Sequence, residues 1–258
     1  MKTKSLGFIG GGRITKIFLQ AFANEHEEFK SVLVCDTNPE VLSALKKQFP
    51  NIETVESPSF AARQDIVFIA LHPPVIMETL EKIETDVNGN TSIISLAPKI
   101  TIGKIAGKLG KVKTITRLIP NATSFINEGY NPISFSKEVS QADKHQLLEM
   151  LNLLGHTFEV AESKLEGYAI MSAMLPTYFW FQWKELVEIG EKMGLSESEC
   201  IDSIQQTTIA SMNLMFNSGL SITRVLDMIP VKPIAEHEVQ IADCFKNKLL
   251  PLFEKIKP

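Results

Sequence analysis

The chain has 258 residues, of which 44% are hydrophobic and 22% are charged. This length and composition suit one large or two modest globular domains, and they exclude disordered, collagen-like and peptide-scale disulfide proteins. The formal net charge is −4, and no dense run of lysine or arginine occurs, which argues against nucleic acid as a partner.

The first part of the chain alternates between predicted strands and helices. Apolar runs without a polar alternation predict strands that are buried on both faces, at residues 6–9, 32–35, 66–71, 93–96 and 114–119. The first helix between them carries Ile14, Phe18 and Ala21 on one face. Such alternation predicts right-handed βαβ units and an α/β fold with a parallel, doubly wound sheet.

The remainder of the chain is predicted to be helical. Two more short strands, at 133–135 and 157–160, flank a helix at 142–154 and extend the sheet. Helices are then expected at 165–192, at 196–217, where Ser196 and Glu199 form a capping box, and after Pro233. The predicted domains are residues 1–162, with the sheet, and residues 163–258, all helical.

The uncharged stretch 167–183 is at the short limit for a membrane span and contains several polar residues, so a buried helix or a subunit interface is expected instead. No export signal is evident. The three cysteines, Cys35, Cys200 and Cys244, are widely spaced and odd in number. They fit neither a disulfide framework nor a zinc site, so we expect a cytoplasmic protein without a metal.

A glycine turn gives the first indication of function. The first strand runs into Gly10-Gly11-Gly12, and an amphipathic helix follows directly. A dinucleotide pyrophosphate needs such a turn, because backbone N–H groups and the helix N-terminus must approach its charge. Asp36 ends the second strand 24 residues after Gly12, where a carboxylate accepts hydrogen bonds from the adenosine ribose.

The cofactor is therefore predicted to be NAD or NADP. A carboxylate at Asp36 repels a 2′-phosphate and favours NAD, although Arg13 could still bind that phosphate. His72 stands in another turn at the carboxyl edge of the sheet, either as a cofactor ligand or as a plain loop histidine. The alternative to a cofactor-binding glycine turn is an ordinary βα turn, with Asp36 as the cap of the next helix. The residues predicted to contact the cofactor are Gly10, Gly11, Gly12, Arg13, Ile14, Asp36, Leu71, His72, Pro73 and Ala97.

Several segments resemble the pyrroline-5-carboxylate reductase family. Residues 7–12 are similar to its Gly-Phe-Ile-Gly-x-Gly, residues 70–73 to Ala-Val-Lys-Pro, and residues 93–97 to the Ile-Ile-Ser-Ile-Ala that precedes Ala-Gly-Val. Residues 117–123, followed by Glu128-Gly129, resemble Arg-x-Met-Pro-Asn-Thr-Pro and its Glu-Gly. The resemblance implies a Rossmann-type N-terminal domain, a helical C-terminal domain that forms a homodimer, and reduction of a cyclic imine to proline by NAD(P)H.

The chain departs from the family in two segments. Of Ser-Gly-Ser-Gly-Pro-Ala-Tyr it keeps Ser172, Pro176 and Tyr178. In place of Ser-Pro-Gly-Gly-Thr-Thr it has residues 229–234, which lack every hydroxyl and place Pro233, without an N–H, in that loop. Lys232 is the candidate replacement partner for a substrate carboxylate.

Asn121, Ser172 and Tyr178 are the candidate catalytic residues, as donors that orient the substrate. Each has a structural alternative: a turn for Asn121, a hydrogen bond to its own helix for Ser172, and a core or interface position for Tyr178. Arg117 is expected to be a structural ion-pair partner.

The leading hypothesis is an NAD(P)H-dependent reductase of a small cyclic imine. The alternative is a dinucleotide-binding regulatory or assembly protein without turnover. A hydroxy-acid dehydrogenase is less favoured, because residues 168–183 lack the lysine that such enzymes use.

Overall fold

The computed structural model describes residues 2–258, which divide into two compact units. The first unit comprises the residues up to Ala173 together with Phe253–Pro258, and the second comprises Met174–Leu252. These units are defined by packing. The functional boundary after Glu162 therefore stays a prediction.

The first unit is built on an eight-stranded sheet with the order β3-β2-β1-β4-β5-β6-β7-β8. Its strands are β1 (Ser5–Ile9), β2 (Ser31–Cys35), β3 (Glu53–Val55), β4 (Ile66–Ile69), β5 (Ser92–Ser95), β6 (Thr114–Leu118), β7 (Gly129–Phe135) and β8 (Gly155–Glu159). All neighbours pair in parallel except β6 and β7. The chain runs outward from β1 to β3 and then returns to the other side of β1, so the order reverses between β1 and β4, where ligands of such sheets gather.

Helices cover both faces of this sheet, as the α/β prediction requires. They are α1 (Arg13–Asn24), α2 (Pro39–Gln48), α3 (Pro58–Ala62), α4 (Pro73–Ile83), α5 (Ile102–Lys108), α6 (Gln141–Leu151) and α7 (Leu165–Tyr168). One core contains Phe8, Phe18 and Phe68, and the rings of Phe8 and Phe68 stack with their centroids 4.6 Å apart. The other core contains Ile69 and Ile93 among its members. The prediction of a doubly wound sheet is confirmed.

The second unit is helical. It contains α8 (Pro176–Lys192), α9 (Glu197–Asn217), α10 (Ile222–Leu226) and α11 (Glu238–Ile256), although the last residues of α11, from Phe253, belong to the first unit. The predicted capping box of α9 is confirmed, because Ser196 N donates to Glu199 Oε2 at 2.8 Å and the Ser196 hydroxyl accepts from Glu199 N. None of the helices within residues 2–258 is long and apolar enough to cross a membrane.

The prediction of one continuous helix over 165–192 is wrong. α7 ends at Tyr168, a π-helical turn covers Ala169–Ala173, and α8 begins at Pro176. Proline has no N–H to continue a preceding helix, and its fixed φ suits the first turn of a new one.

Candidate functional site

The turn after β1 requires glycine at position 10. Gly10 has φ +106°, and a Cβ there would lie 2.3 Å from the carbonyl oxygen of Ala70. The Gly10 N–H also donates to the carbonyl of Cys35 at 2.8 Å, which joins the ends of β1 and β2. Any side chain at this position meets both backbone strain and a steric clash.

The N-terminus of α1 is open for an anion. Gly12 is its N-cap, no side chain within residues 2–258 accepts a hydrogen bond from the first turn, and that turn has no acidic residue. A Cβ on Gly12 would have nothing within 4 Å. Arg13, the first residue of the helix, is exposed. The free N–H groups and the helix dipole therefore favour a phosphate at this point.

Thr15 stands where dinucleotide-binding turns usually have a third small residue. Its side chain is fully buried, and its hydroxyl donates to the Gly10 carbonyl at 2.5 Å. The threonine therefore fixes the turn by a hydrogen bond, a role that its position in the sequence did not reveal.

Asp36 is fixed beside the same turn. Its Oδ2 accepts from the Gly11 N–H at 2.7 Å, and its Oδ1 accepts from the Asn38 N–H at 2.8 Å. The alternative in which Asp36 caps α2 is wrong, because the Asn38 side chain is the cap and accepts from Glu40 N at 2.9 Å. Each carboxylate oxygen keeps a further lone pair, so Asp36 can still accept from ribose hydroxyls.

Small-molecule sites are commonly cavities of about 300–1,000 Å³. The cavity that adjoins Asp36 has about 830 Å³ and is lined also by Thr37, Leu42, Lys47, Val55 and Glu56. It therefore offers space for the adenosine end of a dinucleotide beside the predicted ribose ligand. Lys46, which also lines it, donates to the backbone carbonyls of Pro50 and Ile52.

Leu71 and His72 lie in the turn after β4, next to the glycine turn. Leu71 Cδ2 would be 3.2 Å from a Cβ on Gly10, so the two turns are neighbours. His72 is exposed and is the N-cap of α4, but its side chain makes no capping hydrogen bond. Pro73 and Pro74 open this helix and supply no N–H, so α4 is a poorer anion site than α1.

The backbone carbonyl of Ala97, after β5, contacts a buried ionic cluster around Arg117. Arg117 on β6 has an exposed fraction of 0%, and its Nη2 lies 2.5 Å from Glu166 Oε1, whose side chain is 2% exposed. Its Nη1 lies 3.1 Å from Glu162 Oε1, and Nη2 also donates to the Ala97 carbonyl at 3.4 Å. The prediction of a structural ion pair at Arg117 is confirmed, whereas its two carboxylate partners were not predicted.

Asn121 and Ser172 are brought together, but their side chains serve the fold. The buried Asn121 amide donates to the Ser172 carbonyl at 3.3 Å, and its Oδ1 accepts from Thr123 N at 3.1 Å. The Ser172 hydroxyl donates to the Tyr168 carbonyl at 2.8 Å. These contacts are the structural alternatives that the sequence left open, and catalytic roles for both residues stay predictions.

Tyr178 and Lys232 belong to the second unit. Tyr178 is half-buried on α8, its ring centroid is 5.8 Å from that of Phe245, and burial raises the pKa of its hydroxyl. Lys232 is exposed in the segment between α10 and α11. Their predicted roles toward a substrate stay predictions.

Within residues 2–258, no group of three or more His, Cys, Asp and Glu side chains is arranged to hold a metal. The three cysteines are free; Cys35 and Cys200 are buried, and Cys244 is exposed. Burial and then the charge of Asp36 raise the pKa of the Cys35 thiol to about 11, so this thiol is not a nucleophile at neutral pH.

Comparison with known proteins agrees with this geometry. Residues 5–99 match the family model described as NADP oxidoreductase coenzyme F420-dependent. The chain is 23% identical over 228 residues to the pyrroline-5-carboxylate reductase of Escherichia coli K12, covering 88% of this chain and 84% of that protein. It is 22% identical over 253 residues to that of Staphylococcus haemolyticus, covering 93% of each.

The resemblance to the pyrroline-5-carboxylate reductase family is confirmed. A crystal structure of Plasmodium falciparum pyrroline carboxylate reductase, with NADP bound, shares the fold with a TM-score of 0.75. That match covers 99% of this chain and 95% of the other at 22% identity. The fold is thus the Rossmann-type sheet followed by a helical region that the family resemblance implied.

Proposed function

We propose that the protein is an NAD(P)H-dependent reductase of a small cyclic imine of the pyrroline-5-carboxylate type. The observation that carries the proposal is the site at the reversal of strand order, where Gly10, the open N-terminus of α1 and Asp36 meet. These residues fit a dinucleotide, because they offer a side-chain-free approach, unpaired N–H donors and a carboxylate acceptor. The substrate class rests on the similarity to reductases over most of the chain.

When bound, the reduced nicotinamide supplies the hydride. The residues of this chain bind and orient the two reactants. A protonated imine already carries the charge that hydride addition neutralises, so the site needs no strong general acid. This agrees with the internal hydrogen bonds of Asn121 and Ser172, which hold the backbone of the π-helical turn in position.

Asp36 supports NAD as the preferred cofactor. Its carboxylate is held in place by two backbone N–H groups and repels a 2′-phosphate. Arg13 is exposed at the start of α1 and is the cation nearest in sequence to the glycine turn that could offset this repulsion.

Assembly as a cytoplasmic homodimer through the helical region is part of the proposal. Large apolar side chains of α8 and α9 are exposed, among them Phe181 with an exposed fraction of 66% and Phe216 with 70%. Exposed apolar patches of this kind are typical of protein–protein interfaces, and a second copy of the chain would cover them. Sedimentation of the wild type and of Phe181→Glu tests this, with Lys184→Glu as the control on the same helix; a monomeric wild type contradicts the dimer.

The test of the activity uses purified protein, NADH and NADPH separately, and pyrroline-5-carboxylate, with the loss of nicotinamide absorbance as the readout. Turnover with either cofactor supports the reductase.

A second candidate, a dinucleotide-binding protein without turnover, is favoured by residues 229–234, which lack the hydroxyls of the family's substrate loop. Cofactor binding without turnover of any cyclic imine would support that candidate instead.

A further inference from the structure

The connection between β5 and α5 contains a strained lysine. Lys99 has φ +74°, in the left-handed region that favours glycine. The segment that precedes it, residues 93–97, resembles the family's Ile-Ile-Ser-Ile-Ala, after which the family has Ala-Gly-Val. This chain continues with Pro98-Lys99-Ile100, so a lysine stands where the family has its glycine.

A hydrogen bond to a buried side chain holds the strained backbone of Lys99 in place. The Lys99 N–H donates to Glu166 Oε1 at 3.1 Å, and Glu166 is the buried partner of Arg117. The flanking residues Ala97 and Ile100 are buried, whereas the Lys99 side chain is exposed. The hydrogen bond to Glu166 therefore fixes the backbone conformation at position 99, and the Lys99 side chain is exposed.

Lys99 also carries an uncompensated charge at the edge of the sheet where ligands gather. In the connections after β1, β4, β5 and β6, at residues 10–12, 70–72, 96–101 and 119–121, it is the only lysine or arginine. Within residues 2–258, no carboxylate lies within 4.0 Å of its ammonium as an ion-pair partner. Backbone strain of this kind persists where surrounding structure enforces it, and it concentrates at functional sites.

We propose that the ammonium of Lys99 binds the carboxylate of the substrate and sets the specificity for acidic cyclic imines. This inference rests on the proposed reductase function and names the group that recognises its substrate. It also accounts for the loss of the hydroxyl donors at residues 229–234, because a cation at position 99 supplies the carboxylate partner from another element. Lys232 is the competing partner.

The test compares two substrates that differ in the carboxylate alone: pyrroline-5-carboxylate and 1-pyrroline. The variants are Lys99→Gln, Lys99→Arg and Lys232→Gln, and Lys104→Gln is the control, since Lys104 is an exposed lysine on the adjoining helix α5. Lys99→Gln is expected to raise KM for pyrroline-5-carboxylate by about 10- to 100-fold, with kcat within about twofold of wild type. KM for 1-pyrroline should not change, and Lys99→Arg should restore most of the lost affinity.

An equal change of KM for both substrates, or no change, would overturn the role of Lys99. A rise of KM for pyrroline-5-carboxylate in Lys232→Gln alone would assign the carboxylate to Lys232 and likewise overturn it. If the wild type reduces neither imine, the proposed function fails, and calorimetric binding of proline and pyrrolidine in the presence of NAD⁺ decides about Lys99. Proline binding that weakens at least about 10-fold in Lys99→Gln supports the role; absent or unaltered proline binding overturns it.

Discussion

The Asp36 carboxylate accepts a hydrogen bond of 2.7 Å from the backbone N–H of Gly11, so the ribose acceptor and the phosphate turn are fixed to each other. We expect Asp36→Asn to weaken NADH binding by about 1–3 kcal/mol, because charge-assisted hydrogen bonds are lost. NADPH binding should improve relative to NADH, because the charge that repels the 2′-phosphate is gone. Calorimetric titration with each cofactor measures both affinities; Glu40→Gln, which neutralises an exposed carboxylate on α2 outside the lining of that cavity, is the control. An unchanged ratio of the two affinities contradicts this placement.

Gly10 and Gly12 should respond differently to the same added methyl group. Gly10→Ala meets the Ala70 carbonyl and a φ of +106°, and it should destabilise the fold by at least about 2 kcal/mol. A Cβ on Gly12 has open space, so Gly12→Ala should cost about 1 kcal/mol or less in folding. It should nevertheless weaken NADH binding by about 10-fold or more, because the methyl group obstructs the phosphate approach. Urea unfolding and cofactor titration of both variants separate the effects; a Gly12→Ala protein that binds NADH normally would contradict a phosphate at this turn.

The sequence predicted those parts of the fold that have a strong local signal. β1, β2, β4, β5 and β6 are apolar, β-branched runs, whereas β3 is a three-residue strand with exposed Glu53 and carries no such signal. The break between α7 and α8 was missed because residues 167–183 are uncharged and mostly apolar, with no strong turn signal before Pro176.

In the candidate site, too, the sequence predicted only the features that depend on local spacing. Local spacing predicts that Gly10, Gly12 and Asp36 lie at the glycine turn, and the structure shows this arrangement, whereas their contacts with a cofactor stay predictions. Glu166 lies 49 residues from Arg117 in the chain, and only the packing of α7 against the sheet brings their side chains together. The internal hydrogen bonds of Asn121 and Ser172 depend on the same tertiary contact, so the sequence could name the residues but could not tell a donor to substrate from a donor to the fold.

Glu166 and Glu162 share Arg117 but should differ in their contribution to stability. Glu166 is 2% exposed, so Glu166→Gln leaves the Arg117 charge buried without its closest partner and should cost about 3–5 kcal/mol. Glu162 is 31% exposed and screened by solvent, so Glu162→Gln should cost about 1 kcal/mol or less. Urea unfolding of the two variants gives the comparison. Equal losses would mean that Arg117 is hydrated to the same degree at both carboxylates.

Lys99 provides a test of the strain at a positive φ. With φ +74° the backbone favours glycine, so Lys99→Gly should be more stable than Lys99→Ala by about 1 kcal/mol. For a chain of this size the difference corresponds to roughly 2–4 °C in Tm. Lys104 on α5 is the matched control, because glycine in a helix is less favourable than alanine by about 1 kcal/mol and the order of the two variants should reverse there. Equal stability of the two Lys99 variants would show that the connection relaxes to another conformation.

Cys35 makes the fold sensitive to alkaline pH. Burial, followed by the charge of Asp36, raises the pKa of its thiol from an ordinary value near 9.0 to about 11. Between these values the unfolded thiol has lost its proton while the folded one keeps it, so the folded state binds more protons and the free energy of unfolding falls as pH rises.

Urea unfolding at about pH 8 and about pH 10.5 measures this loss of stability. In Cys35→Ala the missing side chain lowers stability at both pH values, but the further loss on going to the higher pH should be smaller than in wild type. Other groups that titrate in this range contribute equally to both proteins and cancel in the comparison. Cys244→Ala, at the exposed cysteine, should retain the full wild-type loss. If Cys35→Ala loses as much stability as wild type between the two pH values, the Cys35 thiol is hydrated enough to ionise within the folded protein.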